Sequence, residues 1–163
     1  MKKRGDFNIS FGIIFSIIVI IAIIAIAFYV ITKFVGLSKC TEIGLFYDNL
    51  KDHVEKAWQS TISEDTLKAT LPSKIEFICF GNLNQSPPRE YREIYNSLSK
   101  SFINFRDRNV FIYPIENACD TELSSIKLDH VKIDNFFCIP VKDRKIEIKT
   151  KKSQFDALVT IYK

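Results

Sequence analysis

The chain has 163 residues, 47% hydrophobic and 26% charged, and a net charge of +4. This length is enough for one domain with its own core plus one further segment, and it excludes two independent domains. Most of the net charge lies near the N-terminus, so the rest of the chain is close to neutral, and a near-neutral surface argues against nucleic-acid binding.

The N-terminal region combines a short basic head, residues 1–6, with a long apolar run. No charged residue occurs from Phe7 to Thr32. A helix of that length spans ~39 Å, which exceeds the ~30 Å hydrocarbon layer of a bilayer. We therefore predict a transmembrane helix over residues 7–35, and we expect the lipid bilayer to surround it.

The basic head predicts the orientation of this helix. Three basic residues lie in the head, whereas the far flank has only Lys33 and Lys39. By the positive-inside rule the head stays in the cytoplasm, and residues 36–163 form an extracytoplasmic domain. The predicted localisation is thus a single-pass protein of the cell membrane. A secretory signal cleaved at Ala25-Ile26-Ala27 is an alternative, but the apolar run continues beyond that site.

A third interpretation concerns the residues just before the apolar run. Lys2-Lys3-Arg4-Gly5, followed directly by Asp6 and the apolar stretch, resembles the N-terminus of archaeal type IV pilins and archaellins. In that family a prepilin peptidase cuts after the Gly of a short basic leader, and the apolar stretch becomes a helix in a filament core. The resemblance covers the N-terminal segment alone and implies processing between Gly5 and Asp6. An uncleaved signal-anchor is the other interpretation of the same residues.

Two small residues in the apolar run predict a packing position. Gly12 and Ser16 have the small-xxx-small spacing that permits close approach of two helices. If the chain assembles, we expect contacts between helices at these two residues. Otherwise this surface is ordinary lipid contact.

Two amphipathic helices are predicted beyond the anchor. The first begins at Thr41 and ends near Ser60, because apolar residues recur there at three- and four-residue steps. The second begins at Ser86 and Pro87, a capping hydroxyl followed by a residue suited to the first turn, and ends near Phe105. The predicted buried face of the first helix consists of Ile43, Phe46, Tyr47, Leu50, Val54, Ala57 and Trp58.

The remaining pattern predicts strands. Alternating apolar residues favour strands in the last third of the chain, with three in succession joined by short turns, which indicates an antiparallel meander. Residues 60–73 are predicted to form turns. The fold class is therefore α+β, a transmembrane helix followed by two amphipathic helices on one face of an antiparallel sheet. The predicted strands are residues 75–80, 110–113, 135–141, 145–149 and 154–162.

Four cysteines lie beyond the anchor: Cys40, Cys79, Cys119 and Cys138. None forms a Cys-x-x-Cys motif, which argues against a redox or zinc site. An even number outside the cytoplasm predicts disulfides. Of the three possible pairings we favour Cys40–Cys79 with Cys119–Cys138, and buried free thiols are the alternative.

No motif for catalysis or for a cofactor emerges from the sequence. His53 is predicted to be solvated or to cap its helix. His130 lies between Asp129 and Asp134 in the sequence, but the spacing matches no established metal pattern, so no metal site is predicted. The chain has five Gly and no Gly-rich phosphate loop. We therefore predict no catalytic residues and no cofactor, and the sequence does not identify a small-molecule ligand.

These observations favour a non-catalytic, membrane-tethered domain with a structural or protein-interaction role. Within that class a pilin-like subunit that self-assembles is one hypothesis. The alternative is a signal-anchored accessory or binding subunit of a membrane complex, whose partner is another protein. A membrane-tethered enzyme is the competing class, and a deep pocket with convergent polar groups would favour it.

Overall fold

The computed structural model of the chain describes residues 11–84, 88–105 and 107–163. The chain divides after Leu37 into two units. The first unit contains one apolar helical segment, and the second is an α+β domain, as predicted. The predicted basic head, with the processing residues Gly5 and Asp6, lies outside the described residues.

The first helix, α1, has the bounds Phe11–Gln59 and contributes residues to both units. The sequence predicted two helices here, one over residues 7–35 and a second beginning at Thr41, and the second start is wrong. No proline separates the two segments, and a helical glycine such as Gly36 costs only about 1 kcal/mol relative to alanine. The helix therefore has no reason to end between them.

In the second unit α1 is amphipathic, as its spacing predicted. Its apolar face is buried, whereas charged residues such as Lys51 and Asp52 are exposed. Near its C-terminal end Lys152 Nζ donates hydrogen bonds to the carbonyls of Trp58 and Ser60, the second at 2.8 Å. A cation at this position satisfies the free carbonyls of the last turn and complements the helix dipole. The buried residues are Ile43, Phe46, Tyr47, Leu50, Val54 and Ala57.

Within the described residues, eight strands form two four-stranded sheets. The first sheet has the order β1-β7-β8-β5, antiparallel except for the parallel pair β8–β5. The second sheet has the order β4-β3-β2-β6 and is antiparallel throughout. The strands are β1 (Ser63–Thr70), β2 (Phe77–Phe80), β3 (Val110–Tyr113), β4 (Ser125–Ile126), β5 (Val131–Lys132), β6 (Phe137–Pro140), β7 (Lys145–Lys152) and β8 (Val159–Tyr162).

The second helix, α2 (Arg92–Ser101), packs on the second sheet. Ile78 and Ile112 belong to the cluster that contains α1, whereas their neighbours Cys79 and Phe111 belong to the cluster that contains α2. Because successive side chains of a strand point to opposite faces, α1 and α2 lie on opposite faces of this sheet. The prediction of both helices on one face is wrong.

Two further predictions about the sheets are wrong. Residues 60–73 contain β1, whose polar residues suit an edge strand in which no side chain is fully buried. The predicted meander is interrupted, because β6 pairs with β2 in the second sheet while β7 and β8 form a hairpin in the first. The turn between β6 and β7 includes Asp143 and Arg144, both with positive φ. This turn leads the chain from one sheet to the other.

Candidate functional site

The apolar segment of α1 is the first candidate for a functional element. α1 is the one helix in the described residues that is long and apolar enough to cross a membrane, and its most apolar window has no buried residue. Large hydrophobic side chains are exposed on every side of it, from Phe11 at 83% to Leu37 at 65%. Water is an unfavourable solvent for such a surface, since each buried methylene gains about 0.8 kcal/mol.

The two predicted packing residues lie on this segment. The Ser16 hydroxyl donates a hydrogen bond to the Gly12 carbonyl at 2.8 Å, so the hydroxyl is satisfied within its own helix. A serine hydroxyl bonded in this way can lie among apolar side chains without being left unpaired. The surface at these positions is small and exposed, and it leaves room for close contact.

The four cysteines form two disulfides, as predicted, but the favoured pairing is wrong. The bonds join Cys40 to Cys119 and Cys79 to Cys138. Cys79 and Cys138 lie directly opposite each other in the β2–β6 pair, with their Cα atoms 4.0 Å apart. The wrong cysteine pairing and the wrong meander have the same cause. The sequence pattern predicted that β6 pairs with β7, whereas in the structure it pairs with β2.

The two disulfides differ in their surroundings. Cys79 and Cys138 are both 0% exposed and lie in the cluster between the second sheet and α2. Cys40 and Cys119 are half-buried and join α1 to the segment that follows β3. One bond is therefore sealed inside the domain, and the other is reachable from solvent.

The sequence predicted that His53 is solvated or caps its helix, but in the structure its half-buried ring contacts polar side chains of the first sheet. Its Nε2 is 2.9 Å from the Thr150 hydroxyl, and its Nδ1 is 3.9 Å from an Asp65 carboxylate oxygen. Thr150 also donates to the Asp65 carbonyl at 3.3 Å. The order carboxylate, imidazole and hydroxyl is that of hydrolase triads, but Thr150 is 0% exposed, so this hydroxyl does not reach a substrate. The network satisfies a buried hydroxyl on the inner face of the first sheet.

His130 lies beside a surface groove of about 260 Å³ lined by α1 and by residues 127–130. Its ring stacks on Trp58, with 3.8 Å between centroids, and its Nε2 is 3.8 Å from a Glu55 carboxylate oxygen. The neighbouring acids Asp129 and Asp134 pair with lysines instead of converging on the ring. In the described part of the chain no three His, Cys, Asp or Glu residues are placed to hold a metal ion.

Two tyrosines have perturbed pKa values, each for a structural reason. Burial raises the pKa of Tyr47 far above its ordinary value, and its hydroxyl donates to the Leu123 carbonyl at 2.9 Å. Burial also raises the pKa of Tyr91, whose hydroxyl contacts Lys163 Nζ. That contact raises the pKa of Lys163, and a hydrogen bond from Tyr91 lowers the pKa of Glu90. The first tyrosine stabilises the core, and the second ties the chain end to the turn before α2.

Comparison of the chain with protein-family models, with curated proteins and with solved structures gives no match.

Proposed function

We propose that the chain is a single-pass membrane protein whose disulfide-bonded domain lies outside the cytoplasm and acts by contact with other proteins. In this proposal residues 1–6 stay in the cytoplasm, residues 7–35 cross the bilayer, and residues 36–163 form the extracytoplasmic domain. The role is structural or one of protein interaction, and it requires no cofactor.

The observation that carries the proposal is the contrast between the two units. The second unit has a buried core, formed by apolar side chains of both sheets and of α1 from Ile43 onward. The large apolar side chains described in the first unit are all exposed. A bilayer removes that surface from water. The two disulfides support an oxidising compartment for the domain.

We propose two forms of this function, which differ in whether the leader is cut. In the pilin-like form the leader is cut between Gly5 and Asp6, and the apolar helices pack together in an assembly through surfaces such as Gly12 and Ser16. In the alternative form the leader is retained, and the chain is an accessory or binding subunit of a membrane complex. A membrane-tethered enzyme receives less support, because in the groove beside His130 the Lys127 ammonium pairs with Asp129 and the His130 ring lies beside Glu55.

The membrane part of the proposal is tested by alkaline washing of membranes from cells that make the full chain. We expect the wild-type chain to stay in the washed membranes. Ile17→Arg, Ile21→Arg and Ile24→Arg together place three charges in the apolar segment, each of which disfavours insertion by roughly 2.5–3.5 kcal/mol, so we expect most of this variant in the wash. The matched control carries Ile62→Arg, Ile103→Arg and Leu158→Arg, because these three side chains are also exposed but lie in the second unit. Release of the wild-type chain by the wash would contradict the proposal.

The intact mass of the chain purified from its native membranes separates the two forms. A chain that begins at Asp6 supports the pilin-like form, and a chain that begins at Met1 removes it and leaves the accessory subunit.

A further inference from the structure

The four outer strands of the two sheets differ in how well they are protected from pairing. β4 and β5 have two residues each, and β6 has four and ends at Pro140, which has no N–H to donate. β1 has eight residues, Ser63–Thr70, and pairs only with β7 among the described strands. Short edges, proline and charged side chains protect an edge from pairing with another chain. β1 has only the charges, so a strand added to it must match them.

The exposed face of β1 carries charges in an ordered row. Glu64 and Lys68 point to the outer face of the first sheet, with Thr66 between them. Glu64 pairs with Lys151 on β7 at 3.3 Å, and Lys68 pairs with Glu147 on β7 at 3.2 Å. The row therefore has a negative charge at one end of β1 and a positive charge at the other.

We propose that β1 pairs with β1 of a second copy of this chain, antiparallel and about a two-fold axis at Thr66. In this register Glu64 faces Lys68 of the second copy, and Lys68 faces its Glu64. Across the joined sheets the charges then alternate as Lys151, Glu64, Lys68 and Glu147. Cross-strand pairs of opposite charge stabilise a sheet, and a symmetric interface presents the same patch on both subunits.

The charges select this register over its neighbours. An axis at Asp65 would place two Asp65 carboxylates directly opposite each other, and like charges in that position are destabilising. An axis at Leu67 would place Lys68 opposite Thr66 and leave no charge pair between the strands. Of these three symmetric registers, only the one centred on Thr66 forms two attractive pairs and no repulsive one.

The backbone at the centre of the interface is compatible with an added strand. The Thr66 N–H donates to the Asp65 carboxylate at 2.7 Å, a contact made by an exposed neighbouring side chain. In the proposed pair this N–H exchanges that carboxylate for the Thr66 carbonyl of the second copy, and the reciprocal bond forms at the same time. The inference concerns the domain alone and goes beyond the proposed function.

Cysteine cross-linking of the full-length chain in detergent tests the geometry. In the proposed pair the two Thr66 Cα atoms are about 5.5 Å apart, within the roughly 7 Å that a disulfide can bridge. We expect Thr66→Cys to give a covalent dimer on a non-reducing gel after mild oxidation. Lys149→Cys is the matched control, since Lys149 is paired with Thr66 on the same face but lies one strand further from the axis, about 14 Å from its counterpart. Equal dimer yields for the two variants, or no dimer of Thr66→Cys, would overturn the inference.

Charge exchange in the Thr66→Cys background tests the register. Glu64→Lys alone and Lys68→Glu alone each place like charges in both pairs, and we expect the dimer yield to fall about ten-fold. A mixture of the two variants restores both attractive pairs in the mixed dimer, and we expect the yield to return. This recovery separates a defect in pairing from a defect in folding, since each chain is unchanged by mixing. Unchanged yields for the single variants, or no recovery on mixing, would overturn the register.

The outcome of the cross-linking experiments is independent of the membrane test. A chain that stays in alkaline-washed membranes but gives no Thr66→Cys dimer overturns this inference and leaves the proposed function in place. A chain that leaves the membranes but gives the dimer overturns the proposed function and leaves this inference in place.

Discussion

Gly81, the residue after β2, shows how tightly one position can be constrained. Its φ is +134°, a region that side chains rarely adopt, and its N–H donates to the Asn109 carbonyl at 3.0 Å. A Cβ atom placed there would lie 2.7 Å from the Phe136 Cα, which is a backbone atom that cannot rotate away. Gly44 is the opposite case, because a Cβ added there meets no atom within 4 Å.

This contrast gives a prediction at the residue scale. We expect Gly81→Ala to lower the free energy of unfolding by at least about 2 kcal/mol, through backbone strain and the clash together. We expect Gly44→Ala to raise it by up to about 1 kcal/mol, since alanine favours a helix interior. Urea unfolding followed by the fluorescence of Trp58, the one tryptophan of the chain, measures both. Equal effects of the two changes would contradict the structure at Gly81.

Only part of this information about single residues could be predicted from the sequence. In the predicted strand 145–149 apolar and charged residues alternate, which places Ile146 and Ile148 on the inner face, and both are buried. It could not predict that His53 reaches Thr150, because the two residues are 97 positions apart in the chain. Contacts of this kind depend on which strand lies under which helix, and no local pattern contains that information.

At the scale of elements, the two disulfides hold different parts of the second unit. Cys40–Cys119 closes a separation of 79 residues and Cys79–Cys138 one of 59. On the chain-entropy model, a loop of this size restricts the unfolded chain by roughly 4 kcal/mol. The first bond joins a helix to a segment outside the sheets, and the second joins two strands of one sheet.

The difference in burial predicts an order of reduction. Under native conditions we expect a phosphine reductant to open Cys40–Cys119 first, because attack requires access to a sulfur and Cys79–Cys138 is enclosed. Alkylation at successive times, followed by peptide mass analysis, identifies which cysteines have been released. Denaturant provides the control, since both bonds are then equally accessible. Release of Cys79 and Cys138 at the same rate as the other pair in the native protein would contradict this expectation.

Elements were predicted well where a local period was strong and poorly where partners had to be chosen. The amphipathic face of α1 and the alternation of β7 were found because each is periodic over many residues. β1 was missed because its residues are polar and its neighbour β7 is more than 70 positions away in the chain. The placement of β6 was wrong because short strands carry no signal for the sheet to which they belong.

At the scale of the whole molecule, the two units differ in the burial of their apolar side chains. Every described side chain from Phe11 to Leu37 is exposed, whereas the core of the second unit draws only on residues after Ser38. The α+β class was predicted correctly from composition and periodicity. The number of sheets was not, since one sheet and two sheets can be built from the same set of short strands.

This division predicts that the second unit folds by itself. We expect a chain of residues 38–163, made in an oxidising compartment, to form both disulfides and to unfold within about 0.5 kcal/mol of the same unit in the full chain. Urea unfolding and the mass of the alkylated chain measure the two properties. The control is a chain of residues 48–163, which lacks Ile43, Phe46 and Tyr47 and also the Cys40–Cys119 bond. We expect it not to fold, because both the buried side chains and this disulfide contribute several kcal/mol. A large loss of stability in the longer fragment would contradict the division.

The order of the cysteines along the chain has a further consequence for a domain exposed to proteases. The two bonds interleave, because Cys79 lies between Cys40 and Cys119, while Cys138 lies beyond both. A protease that cuts any single peptide bond between Cys40 and Cys138 therefore leaves the two fragments covalently joined by at least one disulfide. A nicked molecule would keep its C-terminal part attached to α1, and only a second cut or a reductant would release it.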